Sequence, residues 1–150
     1  MLKLRRNRIH NKKTKIMIGI LIISHENLAD SLVQCATHVL GEKLQQVKYL
    51  SVFAHDNPDD VVLKARKLVS QIDAGDGVLV LSDIYGATPS NIARQLIKLG
   101  RVECLVGVNL PMLIRALTYR NEPLVVMIEK AVNGGKDGIF HVRLEPCDAV

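Results

Sequence analysis

From Ile16 onward the chain sets short apolar runs against longer stretches in which apolar residues recur every three or four positions. The run Ile16–Ile23 has the length of a strand, and Met17–Ile23 does not alternate with polar residues, which predicts a strand buried on both faces. Leu28, Leu32, Cys35 and Val39 follow at helical spacing with Asp30 and Gln34 outward, and Gly41 is placed to close that helix. Val47–Phe53 reads as a second strand. After an Asp56-Asn57-Pro58 turn, Val61, Ala65, Leu68 and Ile72 stripe a second helix. Gly77–Leu81 is the third strand, Ile92–Leu99 the third helix and Glu103–Val108 the fourth strand. Met112, Leu113, Ala116 and Leu117 mark a fourth helix, Leu124–Val132 a fifth, and Ile139–Leu144 a last strand. Repeated strand–helix–strand units imply an α/β fold, a three-layer doubly wound parallel sheet with right-handed crossovers. No internal repeat, low-complexity tract or linker follows Met17.

Composition fits one domain. At 150 residues, 48% apolar and 3% aromatic, the chain can bury a single aliphatic core. No apolar run approaches the roughly 20 residues needed to span a bilayer. Charges before the first run and the lack of a small-residue cleavage site argue against a signal peptide. Cys35, Cys104 and Cys147 are odd in number and far apart, which suits a reducing cytoplasm better than a disulfide framework or a C-x-x-C metal site.

The net charge of +5 is uneven. Lys3, Arg5, Arg6, Arg8, Lys12, Lys13 and Lys15 precede Met17 with no acid among them, which leaves 13 of the 20 basic residues against 15 acidic ones. The division is therefore a basic extension, 1–16, and a single weakly acidic domain, 17–150. The extension could contact nucleic acid or anionic lipid. The plainer readings, a disordered tail or a start assigned too early with Met17 the true beginning, are the preferred ones. No nucleic-acid partner is assigned from it.

Ligands in such sheets sit beyond the carboxyl ends of the strands. Strand one ends in Ser24-His25, strand three in Ser82-Asp83 followed by Ile84 to Asn91, and strand four in Gly107 to Pro111. If strands one and three are neighbours, Asp83 can hold one ring nitrogen of His25 and leave the other free as a nucleophile. Thr88-Pro89 has the form of a helix N-cap followed by proline, whose amides would face the same rim. These pieces together outline a phosphohistidine site. Each also has a plainer use, because strand-end histidines cap and Asp-x-x-Gly sequences make turns. His10, His38, His55 and His141 have no comparable setting. Ser24 and Ser90 suggest a hydrolase triad only weakly, since no G-x-S-x-G elbow, P-loop or zinc-spaced ligand set is present.

Three blocks carry a resemblance: Ile18-Gly19-Ile20 to Ser24-His25, Gly77 through Asn91, and Gly107-Val108-Asn109-Leu110-Pro111-Met112-Leu113. Over about Met17 to Leu144 the chain resembles the IIA component of the mannose-family phosphoenolpyruvate-dependent sugar phosphotransferase system (PTS). The resemblance implies that His25 takes a phosphoryl group from the phosphocarrier HPr and passes it to a IIB domain, and through IIB to membrane IIC and IID components. It implies Asp83 as the partner of His25 and Thr88 as a hydroxyl donor to the phosphate; Ser24 and Ser90, beside them in the sequence, are further candidate phosphate-site hydroxyls. It implies a four-stranded parallel sheet with an added antiparallel edge strand, exchanged in a homodimer, for which Ile139–Leu144 is the candidate. It also implies no bound cofactor or metal, and a cytoplasmic location, peripheral to the inner membrane through the PTS complex.

Two departures from the family pattern stand out. Glu26 follows the histidine where glycine is common, and Ala87 replaces the second glycine of the usual Asp-x-x-Gly-Gly. A carboxylate beside the nucleophile opposes a phosphate and bears on partner choice. The variant looks like stand-alone IIA proteins that serve regulation. Other readings are the phosphotransfer subunit of a dihydroxyacetone kinase, and a non-catalytic regulator that binds a partner according to phosphorylation state.

Overall fold

A computed structural model of the chain describes residues 15–144, so the basic stretch through residue 14 and residues 145–150 lie outside it. The elements run β1 (Gly19–His25), α1 (Leu28–Leu40), β2 (Val47–Val52), α2 (Pro58–Ile72), β3 (Val78–Ser82), α3 (Thr88–Arg94), β4 (Val102–Val106), α4 (Leu110–Thr118) and α5 (Leu124–Asp137). The four strands pair in parallel in the order β2-β1-β3-β4. Ile20 stands between Val47 and Leu79 in register.

The unalternating strands are explained by helices on both faces. Ile20, Ile22, Leu79 and Leu81 pack with residues of α1, α4 and α5, while Leu21, Ile23, Val78 and Val80 pack with residues of α2 and α3. β1 begins hard against the end of α2. A Cβ on Gly19 would stand 2.5 Å from the carbonyl oxygen of Ile72, so this position requires glycine. At the same pole, buried Arg120 donates from Nε and Nη2 to the Ile18 carbonyl and from Nη1 to that of Gln45. It ties the start of β1 to the loop before β2.

Several elements differ from the sequence pattern. α1 is rotated by about one position: Ala29 and Ala36 are buried, whereas Leu28, Cys35 and Val39 are exposed. Small alanines let the helix lie close to the sheet, and proximity overrides the larger stripe. α3 starts earlier and stops at Arg94, because Lys98 and Val102 exchange backbone hydrogen bonds around Gly100, whose φ of 72° is left-handed. α5 continues past Val132 through Gly134 and Gly135, which are buried. A Cβ on Gly134 would meet Arg115 of α4 at 2.5 Å, so the glycines serve close helix packing here and not a turn.

The expected antiparallel strand Ile139–Leu144 is not formed in the single chain. These residues follow α5 without ladder pairing, and Ile139, Phe140, Val142 and Leu144 are exposed. The segment leaves the end of α5 without joining either edge strand, β2 or β4, of its own sheet.

Candidate functional site

β1 and β3 are neighbours, and their carboxyl ends bring His25 and Asp83 together. Asp83 follows Ser82, which is in register with Ile23 two residues before the histidine. Oδ2 of Asp83 accepts the backbone N–H of His25 at 2.9 Å and lies 2.8 Å from Nδ1 of the ring. Oδ1 accepts the backbone N–H of Ile84 at 2.9 Å. Burial pushes the Asp83 carboxyl up, but the hydrogen bonds from His25 and Ile84 and the imidazole outweigh it, and the net shift is downward. The carboxylate is therefore ionised at neutral pH and can only accept. Nδ1 must donate to it, which leaves the lone pair on Nε2. The histidine side chain is 48% exposed and Asp83 11% exposed, so an oriented ring stands at an open rim.

A cleft of about 320 Å³ lies beside the ring, lined by His25, Glu26, Phe53, Asp56 and Thr88 among others. Thr88 is exposed there and begins α3; it is not the cap, because Ala87 holds that position and makes no side-chain cap bond. Asp56 also binds the backbone N–H of Phe53 at 2.8 Å. Its place at the site was hidden in the sequence, where Asp56-Asn57-Pro58 reads as turn chemistry. The signal available was its position just past the end of the strand beside β1.

The two serines are turned inward. Ser24 is fully buried, and its hydroxyl accepts the N–H of Ala29 at 2.8 Å and donates to the His25 carbonyl at 3.2 Å. Ser90 is 1% exposed and donates to the Ala87 carbonyl at 2.9 Å. Both hydroxyls hold the turns that shape the rim, and their hydrogen bonds run to backbone groups of those turns. Asn109, in the third block, caps α4 by accepting from Met112 and donates to Gly135. Among the described residues, no group of three or more His, Cys, Asp or Glu is arranged to hold a metal ion. No helix among them is long and apolar enough to cross a membrane.

Glu26 is where the geometry adds most. Its φ is 48°, in the left-handed region, and its backbone N–H is bound to the Val52 carbonyl at 3.1 Å. The turn after β1 thus needs the conformation that glycine adopts freely, yet it carries a glutamate.

A family model described as PTS system fructose IIA component (EIIA-man) matches residues 19–132. The mannose-specific EIIAB component of Escherichia coli (strain K12) is 28% identical over 134 residues, 87% of this chain and 41% of that protein. The chain thus spans less than half the length of that relative. The fructose-specific EIIA component of Bacillus subtilis (strain 168) is 29% identical over 105 residues, 69% of this chain and 71% of that one. A crystal structure of a PTS EIIA component from Streptococcus agalactiae superposes with a TM-score of 0.75 at 26% identity, covering 83% of this chain and 97% of that chain. With the family match running from the first strand through most of the last helix, the chain belongs to the mannose-type EIIA family of the sugar phosphotransferase system.

Proposed function

We propose that this chain is a phosphoryl-transfer component that carries the group on Nε2 of His25, taking it from HPr and giving it to a IIB domain. The observation that supports this most directly is the 2.8 Å contact between Nδ1 and Asp83, which points the unprotonated nitrogen outward. In the forward step the Nε2 lone pair forms a bond to phosphorus as the bond to the donor's leaving atom breaks, and the donor keeps that electron pair. No proton has to leave Nε2, because the ring proton is held on Nδ1. The phosphorylated ring gains positive character, which the ionised Asp83 offsets. Such a step needs positioning and charge stabilisation more than covalent machinery.

Thr88 is the proposed hydroxyl donor to the phosphoryl oxygens, across the cleft from the ring. Because the donors and acceptors of this chemistry are cytoplasmic, we place the protein in the cytoplasm. For the exposed segment Ile139–Leu144 we propose pairing with β4 of a second copy. The test of function is incubation with phosphoenolpyruvate, enzyme I and HPr, followed by phosphosite mapping. The label is expected on His25 alone, acid-labile and alkali-stable, and absent from His25→Ala. A label on serine, or one that survives His25→Ala, overturns the reading.

A further inference from the structure

We propose that Glu26 is a charge brake on the site: its carboxylate holds down the equilibrium level of phosphorylated His25. The inference rests on His25 being the phosphorylated residue. The turn after β1 imposes a left-handed backbone at position 26 through the Glu26 N–H bond to Val52, and among the described residues Gln46 is the other non-glycine with positive φ. Glycine would meet that demand without strain, and glutamate does not. Nor does the fold gain from the side chain, which makes no hydrogen bond or salt bridge with the described residues. It is exposed and lines the cleft beside the nucleophile.

A phosphoryl group on Nε2 brings up to about two negative charges to that cleft at neutral pH. The cleft already holds the carboxylates of Glu26 and Asp56, and among the described residues no lysine or arginine lines it. Asp83 is committed to the ring and Asp56 to the Phe53 amide, so their charges also serve the local structure. Glu26 is the carboxylate with no such duty. Its charge disfavours the phosphorylated state relative to the free imidazole, and shifts the exchange with HPr toward phospho-HPr. The level on His25 then rises only when most of the donor pool is charged, which suits a reporter of that pool.

The experiment measures the phosphorylated fraction of His25 at a fixed ratio of phospho-HPr to HPr, for the full chain, Glu26→Gln and Glu26→Gly. Glu26→Gln removes the charge and keeps the backbone demand, and it should raise the equilibrium constant roughly three- to tenfold at low salt, because exposed charge pairs are weak and screened. Glu26→Gly should raise it similarly and also raise the melting temperature, which Glu26→Gln should leave nearly unchanged. The gain in both variants should shrink at high salt. An equilibrium unmoved by Glu26→Gln overturns the brake, and so does slower transfer at an unchanged equilibrium, which assigns the charge to docking. Absence of any label on His25 in the unaltered chain is a separate result, which sinks the proposed function itself.

Discussion

A single oxygen of Asp83 engages His25 at two points, the backbone amide at 2.9 Å and the ring Nδ1 at 2.8 Å. The backbone contact fixes where the residue sits, and the ring contact fixes which nitrogen carries the proton. Asp83→Asn can keep the first contact through its carbonyl, but it cannot supply the charge that stabilises the phosphorylated ring. The variant should fold and should be phosphorylated more slowly, on the order of tenfold or more by analogy with triad carboxylates. Rapid-quench labelling by phospho-HPr measures this. An unchanged rate in a folded variant shows that the carboxylate only positions the turn.

A second prediction concerns the chain end. Ile139, Phe140, Val142 and Leu144 are each at least 73% exposed, a density of apolar surface that a lone chain in water should not keep. Beyond the bridge between Lys98 and Val102, β4 also presents an open edge, since among the described residues its ladder partner is β3 alone. The intact chain should sediment as a dimer at micromolar concentration, and truncation before Ile139 should give monomer or aggregate. A stable monomer of the intact chain contradicts this.

Asp73 supplies a pH test of stability away from the site. Burial pushes its carboxyl up, but hydrogen bonds from the Gly75 and Gly77 amides and the Arg101 guanidinium outweigh burial, so the net shift is downward from the ordinary aspartate value. A folded-state value depressed in this way stabilises the native state above pH 3.8, and the gain is lost as pH falls through the folded value. Arg101 is 47% exposed, which weakens its share. Asp73→Asn should therefore destabilise the fold at pH near 7 and progressively less below pH near 4, read by urea unfolding. An equal cost at both ends of that range rules out the charge as the cause.

Gly19→Ala tests the contact between β1 and α2. The new methyl would stand 2.5 Å from a backbone oxygen, which cannot rotate away as a side chain would. Overpacking of this kind costs about 1–3 kcal/mol, more than the few tenths that alanine gains by restricting the unfolded chain. Thermal unfolding should show the loss. Unchanged stability means that β1 and α2 separate easily.

The sequence was most legible where one physical demand acted alone. β1 and β3 had to be apolar on both faces, so their runs, their ends and the meeting of His25 with Asp83 could be read directly. It was least legible where side-chain size misled. Leu28 and Val39 looked like the inward face of α1, but Ala29 and Ala36 permit closer contact with the sheet. Gly134 and Gly135 lie past the predicted end of α5 at Val132 and are a packing surface for α4. Ser24 and Ser90 stand beside the candidate site residues, and no sequence pattern reveals that their hydroxyls face inward. The strain at Glu26 was equally hidden, since φ follows from the Val52 hydrogen bond and that contact spans 26 positions.

Arg120 gives the molecule a division of labour between its two poles. Its guanidinium clamps Ile18 and Gln45 at the end of the sheet remote from His25, using carbonyls that any side chains there would present. That fastening is indifferent to what happens at the opposite rim. The loops after β1, β2 and β3 keep their own turn hydrogen bonds but carry none of that fastening, and their exposed residues can be rewritten for new partners. A lineage can change what it listens to by editing a few rim residues, and a glutamate beside His25, at a backbone position that suits glycine, is the kind of edit such an architecture tolerates.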